Sequence, residues 1–160
     1  MLTKNIETMK VEVAQHIAAD AVVQGVYWEN GRGCFIGCLT HSSKAEKVTE
    51  RFGLPLLLVK VAESIFEKLP ADDARAFFAA IPEAIGRDGK DLTLIVWRFL
   101  GVVLRRLPEH AAIDRVIAGM DLLADGGDWP DAAGAAAGAA AVCHAAHTAD
   151  TTGAYDALSA

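Results

Sequence analysis

The sequence has no apolar run of the roughly 20 residues that a membrane-spanning helix needs. The most apolar stretch, 92–104, is interrupted by Arg98. An export signal is also missing, because the opening MLTKNIETMKVEVAQ mixes charged residues into a helical pattern instead of placing them before an apolar segment. We therefore expect a soluble protein with no membrane partner.

Cysteine and positive charge are both scarce. Three cysteines cannot form a fully paired disulfide framework, and without an export signal they are best explained as reduced thiols in the cytoplasm. Lysine and arginine number 15 against 21 acidic residues, which gives a net charge of -6. Nucleic-acid binding needs clustered cations at the phosphates, so we exclude it as a general function. Nothing in the composition calls for a cofactor.

Apolar residues recur every three or four positions through most of the chain, and the alternation typical of strands is rare. This pattern predicts an all-α protein, a single domain over 1–160 built as a bundle-like array of six or seven helices, with 148–160 frayed at the end. The predicted helices cover 5–23, a short segment ending at Phe52, 55–69, a segment opening at Asp72 and Asp73, 91–107, 109–124 and the alanine-rich 131–147. In the first of them an apolar stripe is formed by Ile6, Met9, Val13 and Ile17.

Two of these helices have informative patterns. Helix 91–107 is apolar on nearly every side, which predicts a central helix and the most buried element of the protein. Helix 55–69 is amphipathic, so its polar face is expected to lie in solvent. Its apolar face contains Leu58, Val61, Ala62, Ile65, Phe66 and Leu69, and its polar face contains Lys60, Glu63, Ser64, Glu67 and Lys68.

The stretch GRGCFIGCLTHSS, 31–43, concentrates cysteine and histidine. If it is helical, Cys34, Cys38 and His41 share one face, and Cys143 with His147 forms a similar pair near the C-terminus. Thiolate and imidazole groups from both segments could bind Zn²⁺ tetrahedrally. Alternatively, Cys38 could be a nucleophile with His41 as its base, although no oxyanion-stabilising group accompanies the pair.

The neighbouring loop, VYWENGRG, is expected to form a tight turn at Asn30 and Gly31, and it also permits a ligand site. Tyr27 and Trp28 could form the walls of a pocket, and Glu29 and Arg32 could supply charge. The loop also has a purely structural interpretation, in which its aromatic side chains cover the core between two helices. We favour this second interpretation.

Packing also explains the cysteines. Gly33 and Gly37, with Cys34 and Cys38, form a small-residue face that lets another element approach the backbone closely. Among the interpretations of 31–43 we favour this one, and we predict that the alanine-rich helix 131–147 packs against 33–41.

The runs QGVYWENGRGCFIGCLTHSS and RFGLPLLLVKVAESIFEKLP, which together cover about 24–70, resemble a family of small bacterial and phage proteins of unknown function. The shared features are an aromatic, glycine-rich loop, the pattern G-C-x-x-G-C, a nearby histidine, and a helix that ends in I-F-E-x-L-P. The resemblance implies no activity. It does imply that the positions to test first are Cys34, Gly37, Cys38, His41 and Glu67.

These observations support two hypotheses on function, which is otherwise unknown. The first is a protein that is not an enzyme and acts through association with itself, as a homodimer, or with a protein partner. Its basis is the broad apolar surface of 91–107 and the lack of a complete catalytic set. The alternative is a small-ligand-binding protein or an enzyme whose Cys/His site lies at 27–41.

Overall fold

The structure, a computed structural model, describes residues 1–107 and 109–132. This part of the chain contains seven α-helices and one two-stranded hairpin, which confirms the all-α class. No helix in it is both long and apolar enough to cross a bilayer. The elements in chain order are α1 (Ile6–Ala18), β1 (Trp28–Glu29), β2 (Arg32–Gly33), α2 (Phe35–Thr40), α3 (Ala45–Phe52), α4 (Leu56–Lys68), α5 (Ala71–Ile85), α6 (Ile95–Leu104) and α7 (Ala111–Ala124).

The chain divides into two compact units, of which the first is Met1–Val96. Its core is built around the short helix α2, which contacts α1, α3 and α4, while α1 packs on α5. Phe35 of α2 meets Phe66 of α4 and Phe78 of α5 at ring-centroid distances of 6.5 and 5.8 Å. All three rings are buried. Burial of large aromatic side chains is the main source of stability in such a core.

Helix α2 is shorter than the predicted segment 33–41 because the backbone leaves the helical region at both ends. Cys34 is extended, with φ -75° and ψ -172°, and His41 is left-handed, with φ 50°. Cys34, Cys38 and His41 are therefore not three positions of one helix. The face that begins at Gly33 and Gly37 is in contact with the backbone of Tyr27, where a Cβ on either glycine would collide with the Tyr27 carbonyl.

Strands β1 and β2 form an antiparallel hairpin with Trp28 opposite Gly33 and Glu29 opposite Arg32. Asn30 and Gly31 make the connecting turn, with φ of 50° and 79°. Positive φ at both positions is the geometry of a type I′ turn, which Asn-Gly favours. The sequence analysis anticipated the tight turn but not the strands, because two residues per strand are too short to show alternation.

The second unit begins at Trp97. Within it, Arg105 of α6 forms an ion pair with Asp121 of α7, and the Trp129 ring lies directly against Gly119, where a Cβ would collide with it. The expectation that 91–107 is the most buried element is wrong. Phe99, Val102 and Val103 of α6 are 43%, 52% and 41% exposed. A helix with apolar residues on every side can be buried by its neighbours. Whether it is buried depends on how many elements pack against it.

Several predictions fall on residues outside those described. They are the alanine-rich helix 131–147, its packing on 33–41, the fraying of 148–160, and the contributions of Cys143 and His147. That the whole chain folds as one domain also stays a prediction.

Candidate functional site

A small acidic cleft lies where α4 meets the loop 24–27 and the start of α2. The Cys34 thiol donates a hydrogen bond to Glu63 Oε1 at 2.9 Å, and the Ile36 N–H donates to Glu63 Oε2 at 3.1 Å. One turn further along α4, Glu67 Oε2 accepts the N–H of Gly25 at 2.8 Å. We call the cavity that these groups surround the acidic cleft. Its volume is about 200 Å³, and its lining is Gly25, Val26, Tyr27, Cys34, Glu63 and Glu67.

Helical spacing explains why the two carboxylates meet. Glu63 and Glu67 are four residues apart on α4, so they lie on the same side of the helix. The adjoining stripe of α4, Ala62 and Phe66, is buried in the core. The sequence analysis placed both glutamates on a solvent face, but each is only partly exposed. The difference arises because the loop 24–27 covers this flank of α4, and helical periodicity carries no information about such a cover.

The side chain of Gln24 holds the loop in place. Its Nε2 donates to the carbonyl oxygens of Phe66 at 2.6 Å and of Leu69 at 2.9 Å. These carbonyls lie in the last turn of α4 and at its C-cap, where the backbone acceptors have no partner within the helix. The loop that forms one wall of the acidic cleft is thus attached to the helix that supplies the carboxylates.

Burial makes both acidic groups at the bottom of the cleft harder to ionise. It raises the pKa of the Cys34 thiol to about 12, and the hydrogen bond to Glu63 acts in the same direction. Burial also raises the pKa of Glu63, opposed by the hydrogen bonds from Cys34 and Ile36. In the unliganded protein Cys34 is therefore a protonated thiol at neutral pH, which is a poor nucleophile.

The donor atoms of this cleft are close enough to share one ion. One ligand atom from each of Cys34, Glu63 and Glu67 lies within 4.8 Å of the others. Tetrahedral Zn²⁺ with sulfur and oxygen ligands keeps those atoms about 3.5 Å apart, as its bond lengths require. Each carboxylate is also held by a backbone N–H on one oxygen, from Ile36 or Gly25, which orients the group. Such supporting hydrogen bonds are typical of metal ligands.

The other cysteine and histidine predicted as site residues, Cys38 and His41, lie outside the acidic cleft. The Cys38 thiol donates to the Gly33 carbonyl at 3.2 Å and contacts the Ala21 carbonyl at 3.8 Å, and burial raises its pKa to about 11. His41 instead stacks on Trp28, with ring centroids 4.0 Å apart. Among the described residues, the ligand atoms that converge with Cys34 come from Glu63 and Glu67, not from Cys38 or His41. In the described part of the chain the Cys38 thiol has backbone carbonyls as its hydrogen-bond partners, and its pairing with His41 stays a prediction.

The four predicted ligand-binding residues of the loop also lie in different surroundings. Tyr27 is 50% exposed and lines the acidic cleft. Trp28 stacks on His41 and meets His16 edge-on. Arg32 pairs with Asp20 at 3.5 Å, and Glu29 is exposed opposite Arg32 in the hairpin. Only Tyr27 contributes to the cleft.

The sequence analysis missed Glu63 as a site residue, and it identified Glu67 only through the family resemblance. A signal was present, since two glutamates one helical turn apart follow a cysteine-containing segment. The sequence does not show that α4 contacts the cysteine-containing segment, so this signal could not be recognised before the structure was known.

The chain matches no protein-family model, no curated protein and no solved structure. The resemblance of 24–70 to small bacterial and phage proteins stays a prediction.

Proposed function

We propose that this protein binds a small cationic ligand in the acidic cleft. The observation that carries the proposal is the uncompensated charge of the cleft: among residues 1–107 and 109–132, no lysine or arginine forms an ion pair with Glu63 or Glu67. A partly buried carboxylate without a counter-charge costs free energy. A cation that enters the cleft recovers that cost.

The walls of the cleft support the same conclusion. Tyr27, which is half exposed, lines both the acidic cleft and a second cleft of about 310 Å³, and Glu63 lines both as well. An aromatic face next to carboxylates attracts organic cations as well as metal ions. A wider groove of about 420 Å³ between α1 and α5 is lined mainly by apolar side chains, with Lys10 already paired to Glu83. It lacks a comparable set of converging acidic groups.

This function replaces the Cys/His site at 27–41 with a binding site of different composition, which includes a reduced thiol. Cys34 and Cys38 are free and buried. Reduced thiols are maintained in the cytoplasm, which we propose as the location of the protein. We propose binding and not catalysis, because Cys34 is a weak nucleophile and Cys38 bonds to backbone carbonyls.

A thermal-stability panel tests the proposal. The wild-type chain is heated with Zn²⁺, Co²⁺, Mg²⁺, Ca²⁺ or tetramethylammonium, each over a range of concentrations. We expect at least one of these cations to raise the Tm saturably, because a ligand at 100 times its Kd stabilises the folded state by about 2.7 kcal/mol. Glu67→Gln, which keeps the size of the side chain, should weaken that stabilisation.

The matched control is Glu29→Gln, which removes the same charge from an exposed hairpin position outside the cleft. It should leave the Tm response unchanged. The proposal fails if no cation stabilises the wild type, or if Glu67→Gln responds as the wild type does.

A second function, self-association, is favoured by a separate observation. Phe99, Val102 and Val103 lie on one side of α6 at three- and four-residue spacing, and each is more than 40% exposed. Clustered exposed apolar side chains of this kind are typical of interaction surfaces. We propose that this apolar face of α6 pairs with the same face of a second copy, since a twofold interface needs only a surface complementary to itself.

A further inference from the structure

The identity of the cation in the acidic cleft can be argued further from Cys34, and this inference rests on the proposed function. An organic ammonium ion would be satisfied by Glu63, Glu67 and the Tyr27 ring. It would gain nothing from a thiol. Yet the thiol of Cys34 lies at the bottom of the cleft, 1% exposed, with its hydrogen bond directed at Glu63. The Cys34 thiol is hydrogen-bonded to one carboxylate and lies within 4.8 Å of the other, so the three residues offer one soft sulfur ligand and two hard oxygen ligands.

Softness discriminates among metal ions. Magnesium and calcium bind oxygen ligands and do not select sulfur, whereas Zn²⁺ and Co²⁺ accept thiolate together with carboxylate. We infer that the acidic cleft binds a divalent metal ion of the Zn²⁺ class through Cys34 Sγ and one carboxylate oxygen each of Glu63 and Glu67. These are the three residues whose ligand atoms lie within 4.8 Å of one another.

The existing hydrogen bonds fit this assignment. The proton on Cys34 occupies the space between Sγ and Glu63 Oε1, which are 2.9 Å apart. On binding, the metal ion takes the place of that proton, the S–H bond is broken, and one proton leaves to solvent for each thiolate formed. The two oxygens held by the backbone N–H groups of Ile36 and Gly25 need not move.

Three protein ligands leave one position of a tetrahedral site for water or another small ligand. The cleft in front of the trio is lined by Tyr27 and Val26, with Gly25 at its edge. Because one thiolate and two carboxylates carry three negative charges against two positive, the metal site retains net negative charge. Its fourth position should therefore accept a neutral ligand more readily than an anion.

Cobalt spectroscopy tests the assignment directly. Co²⁺ is titrated into the wild-type chain and into Cys143→Ser, in which Cys34 and Cys38 are the remaining thiols. A thiolate bound to Co²⁺ produces a charge-transfer absorption in the near ultraviolet, which an all-oxygen site does not. We expect this band in both proteins, saturating at one Co²⁺ per chain and abolished by competing Zn²⁺.

Variants of the trio identify the ligands. Cys34→Ser should abolish the band, and Glu67→Gln should weaken Co²⁺ and Zn²⁺ affinity by roughly 100-fold, at the upper end of the losses seen for groups that only support metal ligands. Cys38→Ser is the matched control, because the Cys38 thiol is only four residues from Cys34 but bonds to the backbone carbonyl of Gly33 and lies outside the cleft. It should retain the band. Circular dichroism of each variant verifies that it is folded.

The outcomes separate the two proposals. If metal ions fail to bind but tetramethylammonium stabilises the wild type and not Glu67→Gln, the cleft binds cations and the metal assignment is wrong. A band that survives Cys34→Ser, or that Cys38→Ser or Cys143→Ser removes, overturns the ligand set. Stabilisation by Mg²⁺ equal to that by Zn²⁺ also overturns it.

Discussion

Cys34 and Cys38 are four positions apart in the sequence, and their thiols have different hydrogen-bond partners. Both side chains are 1% exposed and both thiols have a raised pKa because of burial. The difference is in their partners. Cys34 donates to a carboxylate that borders a cleft, whereas Cys38 donates to the backbone carbonyl of Gly33 within the core. Cys38 therefore behaves as a small apolar residue, as the packing interpretation expected, and Cys34 does not.

Gly37 lies at a point of α2 where the close approach of the Tyr27 backbone leaves no room for a side chain. A Cβ at this position would collide with the backbone carbonyl of Tyr27, which cannot rotate away as a side chain can. We expect Gly37→Ala to lower the free energy of unfolding by about 1–3 kcal/mol, in the range of overpacked sites, although alanine is the better helix former. Urea denaturation followed by circular dichroism measures the change.

Gly101 is the matched control, since it also lies within a helix. The nearest atom to a Cβ there is Nη1 at the flexible end of Arg105, 3.0 Å away. Gly101→Ala should therefore be neutral or stabilise the protein by about 0.5–1 kcal/mol through helix propensity. Equal effects of the two substitutions would show that close approach of the Tyr27 backbone is not the reason for Gly37.

Three aromatic rings join α1, the hairpin and the end of α2. The ring of His41 stacks on that of Trp28, and His16 of α1 meets both edge-on, at centroid distances of 5.5 Å to Trp28 and 5.7 Å to His41. Burial lowers the pKa of His16, and the neighbouring charge of His41 lowers it further. A hydrogen bond with the Cys38 backbone and the charge of Glu12 act in the opposite direction.

This arrangement predicts a pH dependence of stability. The folded-state pKa of His16 lies below its unfolded value of 6.5, so folding favours the neutral ring. The contribution to stability is complete above pH 6.5 and is lost as the pH falls through the lower, folded-state pKa. Urea denaturation of wild type and His16→Gln from pH 7.5 to pH 5 should show a smaller decrease for the variant.

A variant without the neighbouring charge of His41 provides a comparison for the pH dependence assigned to His16. His41→Gln keeps His16 but eliminates the repulsion between the two rings, so the decrease in stability should lie between those of wild type and His16→Gln. Parallel pH profiles for wild type and His16→Gln would contradict the assignment of this dependence to His16.

For the whole molecule, the apolar face of α6 predicts the oligomeric state. If Phe99, Val102 and Val103 pair with a second copy, light scattering should give twice the chain mass of 16.9 kDa. Val102→Lys places a charge on the most exposed of the three, at 52%, and should produce the monomer. The energetic reason is that an unpaired charge at an apolar interface is strongly unfavourable.

Val11 offers a control on α1, with 56% exposure. Val11→Lys adds the same charge at a position outside α6 and should leave the mass unchanged. A wild-type mass of 16.9 kDa at the highest attainable concentration would exclude the homodimer, as would a Val102→Lys variant that stays dimeric.

Local pattern was sufficient for much of the architecture. Apolar spacing predicted the helical class and correctly placed Ile6, Met9 and Val13 on the buried side of α1. Gly53, left-handed at φ 67°, ends α3 where the sequence predicted. The Asn30–Gly31 turn was also predicted. Each of these features depends on a few neighbouring residues: on their helix propensity, on the ability of glycine and asparagine to adopt positive φ, or on the spacing of apolar residues. Each can therefore be predicted without knowledge of distant segments.

Features that depend on which elements meet were decided by the tertiary structure. Glu63 and Glu67 border a cleft because the loop 24–27 and Cys34 lie against one flank of α4, up to 42 residues away in sequence. Helix α6 has an exposed apolar face because the elements within 1–107 and 109–132 do not enclose it on every side. Helical periodicity states which side chains share a face, but contacts distant in sequence determine whether that face meets solvent, the core or another acidic group.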